Sequence, residues 1–221
     1  MPPVTLETVR KDPEVEALIV QGNEHLGAMG FTEHSHRHLN LVASISHNVL
    51  EHLGYDNRKA ELAAIAGYLH DIGNVVSRQD HGQTGALLAY SILKRLGMPV
   101  TEAAIIMGAI GNHEEQYGQA VNVVGAALIL ADKSDVHRSR VRNPDVSTFD
   151  IHDRVNYAVE HSFLRVDADK RTVNLEINID LTISTPMEYF EIFLTRMMMC
   201  RRAAEFLGCH FGLIINESRL L

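Results

Sequence analysis

The sequence predicts a mainly α-helical protein, an all-helical bundle followed by a small C-terminal lobe that mixes α and β structure. Apolar residues recur at helical spacing through the first two thirds of the chain, and glycine, proline or capping residues end these segments. Beyond residue 143 the pattern changes, and a stretch of alternating apolar and polar residues is typical of a half-buried strand. We therefore predict a helical domain over residues 1–143 and an α+β lobe over residues 144–221.

The composition narrows the class of protein. With 221 residues, of which 46% are hydrophobic, the chain is long enough to bury a sizeable core. A net charge of −8 argues against bulk binding to nucleic acid or to an anionic membrane, which requires clustered lysine and arginine. The N-terminal residues lack the basic and apolar regions of a signal peptide, and no apolar run is long enough to span a membrane. We expect a cytoplasmic protein without a membrane partner.

Helices are expected wherever apolar side chains recur every three or four residues. The predicted segments are 13–29, 32–53, 58–69, 81–96, 102–110, 121–130, 150–162 and 186–207. Thr32 is a predicted N-cap and Gly54 a predicted stop of the second helix, in which His38 begins a face that continues into the core. The third helix is apolar nearly all round, as in a helix buried at the centre of a domain.

Three segments of the C-terminal lobe are predicted to be strands: 163–166, 173–183 and 211–215. We interpret them as a small antiparallel sheet with helices against one face. A small sheet needs its apolar face covered, either by the helical body or by a second copy of the protein. We predict a homodimer, which a sedimentation mass equal to one chain would contradict.

The central apolar helix ends at two polar residues set side by side, His70 and Asp71. An imidazole and a carboxylate are costly to bury unless they are paired, hydrogen-bonded or bound to a cation. A divalent metal would satisfy both groups at once. The alternative is a histidine hydrogen-bonded to a backbone carbonyl beside an aspartate that caps a nearby element, and the pair alone does not decide between them.

The same context, an imidazole or carboxylate at the end or on the core face of an apolar helix, recurs along the chain. The residues that share it are His38, His70, Asp71, His81, His113 and Asp132. A single buried histidine is more often structural, but six such residues in one context favour a shared metal site. Nitrogen and carboxylate ligands without a thiolate suit Mn, Fe, Co, Ni or Zn. His34, one helical turn before His38, and Glu114 are further candidate ligands.

The order and spacing of these residues resemble the HD superfamily of metal-dependent phosphohydrolases. The motifs that carry the resemblance are His38 followed by Val42-Ala43, then Leu69-His70-Asp71-Ile72-Gly73, then Ala131-Asp132 after an apolar helix. They cover roughly residues 30–140. The resemblance implies an HD-domain helical bundle for this part of the chain and a metal-dependent hydrolytic activity.

Within the superfamily the chain is similar to the multi-metal branch that includes the HD-GYP phosphodiesterases, because His81 and His113-Glu114 match its additional histidine positions. By this resemblance one metal would be held by His38, His70, Asp71 and Asp132. A second would be held by His81 and His113, with Asp71 bridging the two. The implied cofactors are divalent transition metals, two per chain.

The chain departs from the HD-GYP pattern at several places. Asn74 stands where that pattern has a lysine, Asn112 stands where it has the first of two histidines, and the Gly-Tyr-Pro segment is absent. Where the branch can place a glutamate this chain has His34, so a third metal or an altered ligand set is a further hypothesis. The resemblance therefore implies the metal cluster and the reaction class, but not a cyclic dinucleotide substrate.

The predicted activity is the hydrolysis of a phosphate mono- or diester, with a small, nucleotide-like phosphorylated substrate as the partner. Two bridged metals would activate a shared hydroxide for in-line attack on phosphorus, which makes Asp71 a catalytic residue by its position. Arg78, Lys133 and Arg138 are candidates to assist the leaving oxygen, and Glu114 or Glu115 could orient a water or a histidine. For each of these charged side chains the alternative is a solvated surface charge.

Two other functions stay open at the level of sequence. Some members of the superfamily carry a diiron pair on this ligand set and oxidise small polyols or phosphonates, so a diiron oxygenase is the first alternative. The second is a catalytically silent binding or regulatory module whose C-terminal lobe makes the interface. Arg138, Arg140 and Arg142 form a basic strip that could approach a phosphate, but we interpret it as a linker that faces solvent or joins the domains.

Overall fold

The computed structural model describes residues 3–220, which form a helical body and a C-terminal lobe with a four-stranded sheet. The helices of the body are α1 Leu6–Arg10, α2 Pro13–Ala28, α3 His36–His52, α4 Asn57–Leu69, α5 His81–Arg95, α6 Val100–Gly111 and α7 Val123–Ser134. The elements of the lobe are α8 Ile151–Ala158, β1 Val159–Asp167, β2 Thr172–Ile179, α9 Pro186–Phe206, β3 His210–Ile215 and β4 Ser218–Arg219. None of the helices within residues 3–220 is both long and apolar enough to cross a membrane.

The centre of the body is the packing of α3 against α4, which requires a glycine. A Cβ atom on Gly67 would lie 2.8 Å from Ala43 Cα, so the two helices approach as closely as they do only because Gly67 has no side chain. Nearly every residue of α4 from Ala60 onward is buried, as expected for a helix that is apolar all round. This close contact sets the end of α4 beside the first turn of α3.

A second glycine sets the start of α5 against the end of α4. After α4 the chain forms a 3-10 turn, Ile72–Val75, and Gly73 in this turn packs directly on the backbone of His81 and Gly85. A Cβ atom on Gly73 would overlap the carbonyl oxygen of His81. The sharp turn therefore brings residues that are ten positions apart in the sequence, His81 and Asp71, into contact.

The sheet of the lobe has the strand order β1-β2-β3-β4, and its pairing differs from the prediction. β1 and β2 are antiparallel, as are β3 and β4, but β2 and β3 are parallel. The predicted all-antiparallel sheet is therefore wrong at its centre, because α9 connects β2 to β3 as a crossover that returns the chain in the same direction. Val173 pairs with Phe211, and Leu175 with Leu213, on a face that α9 covers.

Several predicted boundaries of the lobe also shift. The predicted helix 150–162 ends at Ala158, and the chain continues directly into β1. The predicted strand 173–183 ends at Ile179, because Asp180 starts a turn in which its Oδ1 accepts the backbone N–H of Thr182 at 2.9 Å. Since α9 also packs on α7, this chain's own helices cover the sheet and join the lobe to the body. The homodimer and the division into two domains stay predictions.

Candidate metal centre

Five separate segments deliver the six predicted metal ligands to one buried place. His38 lies in the first turn of α3, His70 and Asp71 follow α4, and His81 begins α5. The remaining two come from the end of α6 and the last turn of α7. The six side chains are His38, His70, Asp71, His81, His113 and Asp132, and all six are buried. The structure therefore brings the whole predicted set together.

The first group of ligand atoms consists of the Nε2 atoms of His38 and His70 with one oxygen each of Asp71 and Asp132. The two Nε2 atoms lie 3.3 Å apart. Their distances to Asp71 Oδ2 are 3.5 and 3.3 Å, and their distances to Asp132 Oδ1 are 3.4 and 3.5 Å. Ligand atoms about 2.1 Å from a single tetrahedral cation lie about 3.4 Å from one another. The spacing of the first group therefore matches the coordination shell of one cation.

The second group uses the other oxygen of Asp71. His81 Nε2 lies 3.3 Å from Asp71 Oδ1 and 3.2 Å from His113 Nε2. Potential ligand atoms of Asp71, His81 and His113 all lie within 4.8 Å of one another. Asp71 thus offers one carboxylate oxygen to each group, which is the arrangement of a bridging ligand between two cations.

The Nδ1 atoms of the four ligand histidines, which face away from the pocket, are held by hydrogen bonds. The Nδ1 atoms of three of them lie 2.6 to 3.0 Å from the carbonyl oxygens of Gly67, Arg78 and Ile110, and His38 Nδ1 lies 2.7 Å from Asp135 Oδ2. Each of these partners is an acceptor, so Nδ1 carries the proton and donates it. Every Nε2 atom then faces the pocket and is the ring nitrogen that can bind a cation, as metal-binding histidines require.

The electrostatics of the pocket favour a cation. Asp71 Oδ2 is buried and has no hydrogen-bond partner among residues 3–220. Burial lowers the pKa of the His70 imidazole, but the carboxylates of Asp71 and Asp132 outweigh burial and raise this pKa to about 10. The two carboxylates thus attract positive charge into a place where ligand lone pairs already converge. The donor set, four imidazole nitrogens with carboxylate oxygens, fits divalent transition metals.

His34 lies beside the first group, but its ring is engaged elsewhere. Its Nε2 atom is 3.9 Å from Asp71 Oδ2 and 3.3 Å from the guanidinium nitrogen Nη2 of Arg140. Arg140 also donates to the carbonyl oxygen of Asp135 at 2.9 Å and is buried, with 4% of its surface exposed. The interpretation as a linker that faces solvent is therefore wrong for Arg140, whereas a linker that joins the domains stays a prediction. The guanidinium of Arg140 lies against the ring nitrogen that His34 would use to bind a third metal.

Arg78 lies at the edge of the second group. Its Nη1 atom is 3.4 Å from His81 Nε2 and 3.9 Å from Asp71 Oδ1. Nη1 also donates to Asn74 Oδ1 at 3.3 Å, and Asn74 Nδ2 donates to Asp71 Oδ1 at 3.0 Å. Asn74, which stands where the HD-GYP pattern has a lysine, thus connects the bridging aspartate to Arg78. The structure places the predicted catalytic arginine at the pocket.

Lys133 is buried, so its interpretation as a solvated surface charge is wrong. Its Nζ atom lies 2.6 Å from Asp132 Oδ2 and 3.0 Å from Glu115 Oε1, and Arg196 Nε lies 2.9 Å from the same Glu115 oxygen. Burial opposes the ammonium, but Asp132 and Glu115 raise the pKa of Lys133 above its ordinary value. We call Asp132, Lys133, Glu115 and Arg196 the Glu115 network. Within it Lys133 holds the oxygen of Asp132 that faces away from the histidines.

Glu114 is placed behind His81 rather than among the ligand atoms. Its Oε1 atom accepts the backbone N–H of Gly82 at 2.5 Å and lies 3.4 Å from His81 Nδ1, the ring nitrogen turned away from the pocket. Glu114 therefore supports the first turn of α5. The structure does not bring it to the cation pocket as an additional ligand.

Sequence reasoning missed three residues that hold the site. Asp135 binds His38, Arg140 binds His34, and Arg196 reaches Glu115 from the C-terminal lobe. Asp135 carried a signal, because it follows Asp132 by three residues at the end of an apolar helix and so faces the same region. Arg140 and Arg196 had none, since each meets its partner only through the tertiary fold.

Comparison with known proteins places the chain in a family. The family model of the HD domain matches residues 33–155, which is more than half of the chain. The chain is 22% identical over 200 residues to an uncharacterized protein of Methanocaldococcus jannaschii, a match that covers 80% of this chain and 76% of that protein. A crystal structure of a predicted HD superfamily hydrolase from an uncultured Thermotogales bacterium matches with a TM-score of 0.43 and 22% identity, and covers 59% of this chain and 73% of that one.

Proposed function

Because this chain belongs to the HD domain family, which confirms the resemblance found in its sequence, we propose that it is a metal-dependent phosphohydrolase. In this proposal it hydrolyses a small phosphate mono- or diester of nucleotide-like character and uses two divalent transition metals per chain. Its partners are small phosphorylated molecules.

One observation carries the proposal. Asp71 presents one oxygen to the His38 and His70 side of the pocket and its other oxygen to the His81 and His113 side. A single carboxylate shared between two sets of nitrogen ligands is what two neighbouring cations need, and paired cations are common in enzymes that hydrolyse phosphate esters. A lone structural metal would not require the second set.

A pair of bound divalent cations would supply Lewis acidity toward a phosphoryl oxygen and lower the pKa of a bound water. The protein's own residues perform the remaining tasks. Asp135 and three backbone carbonyls fix the histidine rings in the tautomer that keeps Nε2 free. Lys133 fixes Asp132 through its outer oxygen. Arg78, next to His81 Nε2, is positioned to donate to an oxygen of a substrate phosphate.

The test is turnover by purified protein loaded separately with Mn, Fe, Co, Ni or Zn. We expect hydrolysis of at least one member of a panel of nucleotides, generic monoesters and generic diesters, and no uptake of oxygen with the iron form. Substrate-dependent oxygen uptake without phosphate release would instead favour the diiron oxygenase. Inactivity of fully metallated protein on the whole panel would contradict the proposal and favour a binding or regulatory module.

A further inference from the structure

A cleft of about 890 Å³ lies between the helical body and the C-terminal lobe, and His81 of the second ligand group lines it. Glu114 and Arg78 also line it from the side of the body. The opposite side is formed by α9, which contributes Thr195 and Arg196. The entrance to the candidate metal centre is therefore built from both parts of the chain, and each part contributes one arginine.

Arg196 is held in a fixed orientation that leaves its tip free. Its Nε atom lies 2.9 Å from Glu115 Oε1, and its guanidinium stacks on the ring of Phe193 at 4.7 Å from the centroid. Within residues 3–220 its two terminal nitrogens have no hydrogen-bond acceptor, and 26% of the side chain is exposed. A guanidinium that is anchored along one edge and free along the other is preorganised to bind an oxyanion.

Arg78 is held in the same manner on the opposite wall. Its Nη1 atom donates to Asn74 Oδ1 at 3.3 Å, and its guanidinium lies over the ring of Phe31 at 5.8 Å. For Nε and Nη2 of Arg78, the described part of the chain offers no acceptor. Each of the two arginines is thus held by an aromatic ring and a polar partner. Both have a free guanidinium edge at the same cleft.

Neither arginine is consumed by a single carboxylate. Glu115, which lies against Arg196, also pairs with Lys133 at 3.0 Å, and Arg78 is hydrogen-bonded to the neutral amide of Asn74. Acidic side chains also line the cleft, so the two free guanidinium edges, and not the net charge, are what favour an anionic group here.

We propose that the substrate carries a second phosphoryl group, which Arg196 of the C-terminal lobe binds across the cleft from Arg78. The inference rests on the proposed function for the identity of the reacting group. In this arrangement the phosphoryl group that reacts lies at the metal centre, and the second group lies between the two arginines. Arg196 makes the C-terminal lobe a determinant of substrate specificity.

The test measures binding as well as turnover. The probes are methylenediphosphonate and methylphosphonate, which resist hydrolysis and differ by one phosphonyl group. Isothermal titration calorimetry uses metal-loaded protein dialysed free of unbound metal, and the metal content is checked after each titration. The variants are Arg196→Gln, Arg196→Lys and the control Arg201→Gln, which removes an exposed arginine of α9 that pairs with Glu205 on the same helix. Thermal melts check that each variant is folded.

We expect the unmodified protein to bind methylenediphosphonate at least about 10-fold more tightly than methylphosphonate. Arg196→Gln should weaken methylenediphosphonate binding about 10- to 100-fold and leave methylphosphonate binding within about 3-fold. Arg196→Lys, which keeps the charge but loses the planar fork, should fall between, and Arg201→Gln should match the unmodified protein.

Equal affinity of the unmodified protein for the two probes would overturn the inference, as would equal losses in Arg196→Gln and Arg201→Gln. A loss for both probes alike in Arg196→Gln would also overturn it, because a merely structural role of Arg196 predicts that result. Selective binding of methylenediphosphonate without turnover of any phosphate ester would contradict the proposed function and leave the inference standing. Turnover of a phosphate ester without selective binding of methylenediphosphonate would support the proposed function and overturn the inference.

Discussion

The metal pocket and the Glu115 network meet at Asp132 and satisfy their buried charges in opposite ways. In the network each charged group has a charged partner, with Lys133 between Asp132 and Glu115 and with Arg196 on Glu115. In the pocket, nitrogen and oxygen atoms that can bind a cation face one another instead. The Nε2 atoms of His38 and His70 lie 3.3 Å apart, and Asp71 Oδ2 has no hydrogen-bond partner within residues 3–220.

This difference distinguishes a structural ion-pair network from a ligand site. Buried charges are costly unless they are paired, and the network pairs its charges with protein atoms alone. The pocket holds its imidazoles in place through Nδ1 and leaves the opposite nitrogens for something outside the chain. Burial and charge are similar in the two regions, so the convergence of potential ligand atoms from several segments on one place is what marks the site.

Asp71→Asn should have the largest effect, because it removes the charge that both ligand groups share and leaves the Glu115 network intact. We expect loss of bound metal and a fall in turnover of about 10³-fold or more. Metal content and kcat/KM are measured together, with Asp169→Asn, a change in a turn of the lobe, as the control. Full metal content in Asp71→Asn would contradict the role of Asp71 as a bridge.

Lys133→Met breaks the network instead. It leaves Asp132 and Glu115 without the buried ammonium that lies 2.6 and 3.0 Å from them, so the free energy of unfolding should fall by about 3–5 kcal/mol. Urea denaturation measures the change. The control Lys59→Met removes an exposed lysine that pairs with Asp56 and should cost less than about 1 kcal/mol. Similar losses in both variants would show that the network is not a buried structural element.

Asp135→Asn tests the support behind one ligand. Asp135 Oδ2 accepts the proton of His38 Nδ1 at 2.7 Å, and the neutral amide would orient and polarise this ring less strongly. Metal affinity should fall about 10- to 100-fold, measured by competition with a chelator. Glu102→Gln, which alters a carboxylate paired with Arg58 in the helical body, should leave the affinity unchanged. An unchanged metal affinity in Asp135→Asn would show that Asp135 does not support His38 as a ligand.

Glu188→Gln should have the smallest effect and concerns the lobe. The backbone N–H of Thr185, together with Arg154 and Ser184, lowers the pKa of Glu188 from 4.5 to about 2. Because the pKa is lower in the folded state, the carboxylate stabilises the protein above the unfolded-state pKa, and this contribution is lost as the pH falls toward 2. Thermal melts should show a smaller drop in Tm between pH 5 and about pH 3 for Glu188→Gln than for the unmodified protein or Glu191→Gln. Equal drops in Tm for the three proteins would contradict the lowered pKa of Glu188.

The sequence was sufficient to predict six of the seven helices of the body, all but α1, and the six residues that meet in it. His70 and Asp71 follow a helix that is apolar all round, and His113 and Asp132 lie in the same context, so burial and polarity together pointed to one pocket. The resemblance to the HD superfamily then supplied the grouping of the ligands. Local pattern and motif order were enough here because each ligand stands at the end of a recognisable element.

The residues that hold the ligands in place and the topology of the lobe were harder to predict from the sequence. Alternation in residues 173–179 predicts a strand, but the same alternation fits a parallel and an antiparallel neighbour. Arg140 and Lys133 look like surface charges in sequence, because the partners that bury them are distant along the chain or on another element. Such contacts depend on how helices pack, which a single sequence does not state.

The stoichiometry of bound metal tests the central claim most directly. Inductively coupled plasma mass spectrometry on protein saturated with Mn or Zn and then freed of unbound metal should give about two ions per chain for the unmodified protein. His81→Gln should reduce this to about one, because it removes a ligand of the second group only. Saturated protein that retains no metal, or a His81→Gln variant that retains as much metal as the unmodified chain, would contradict the account.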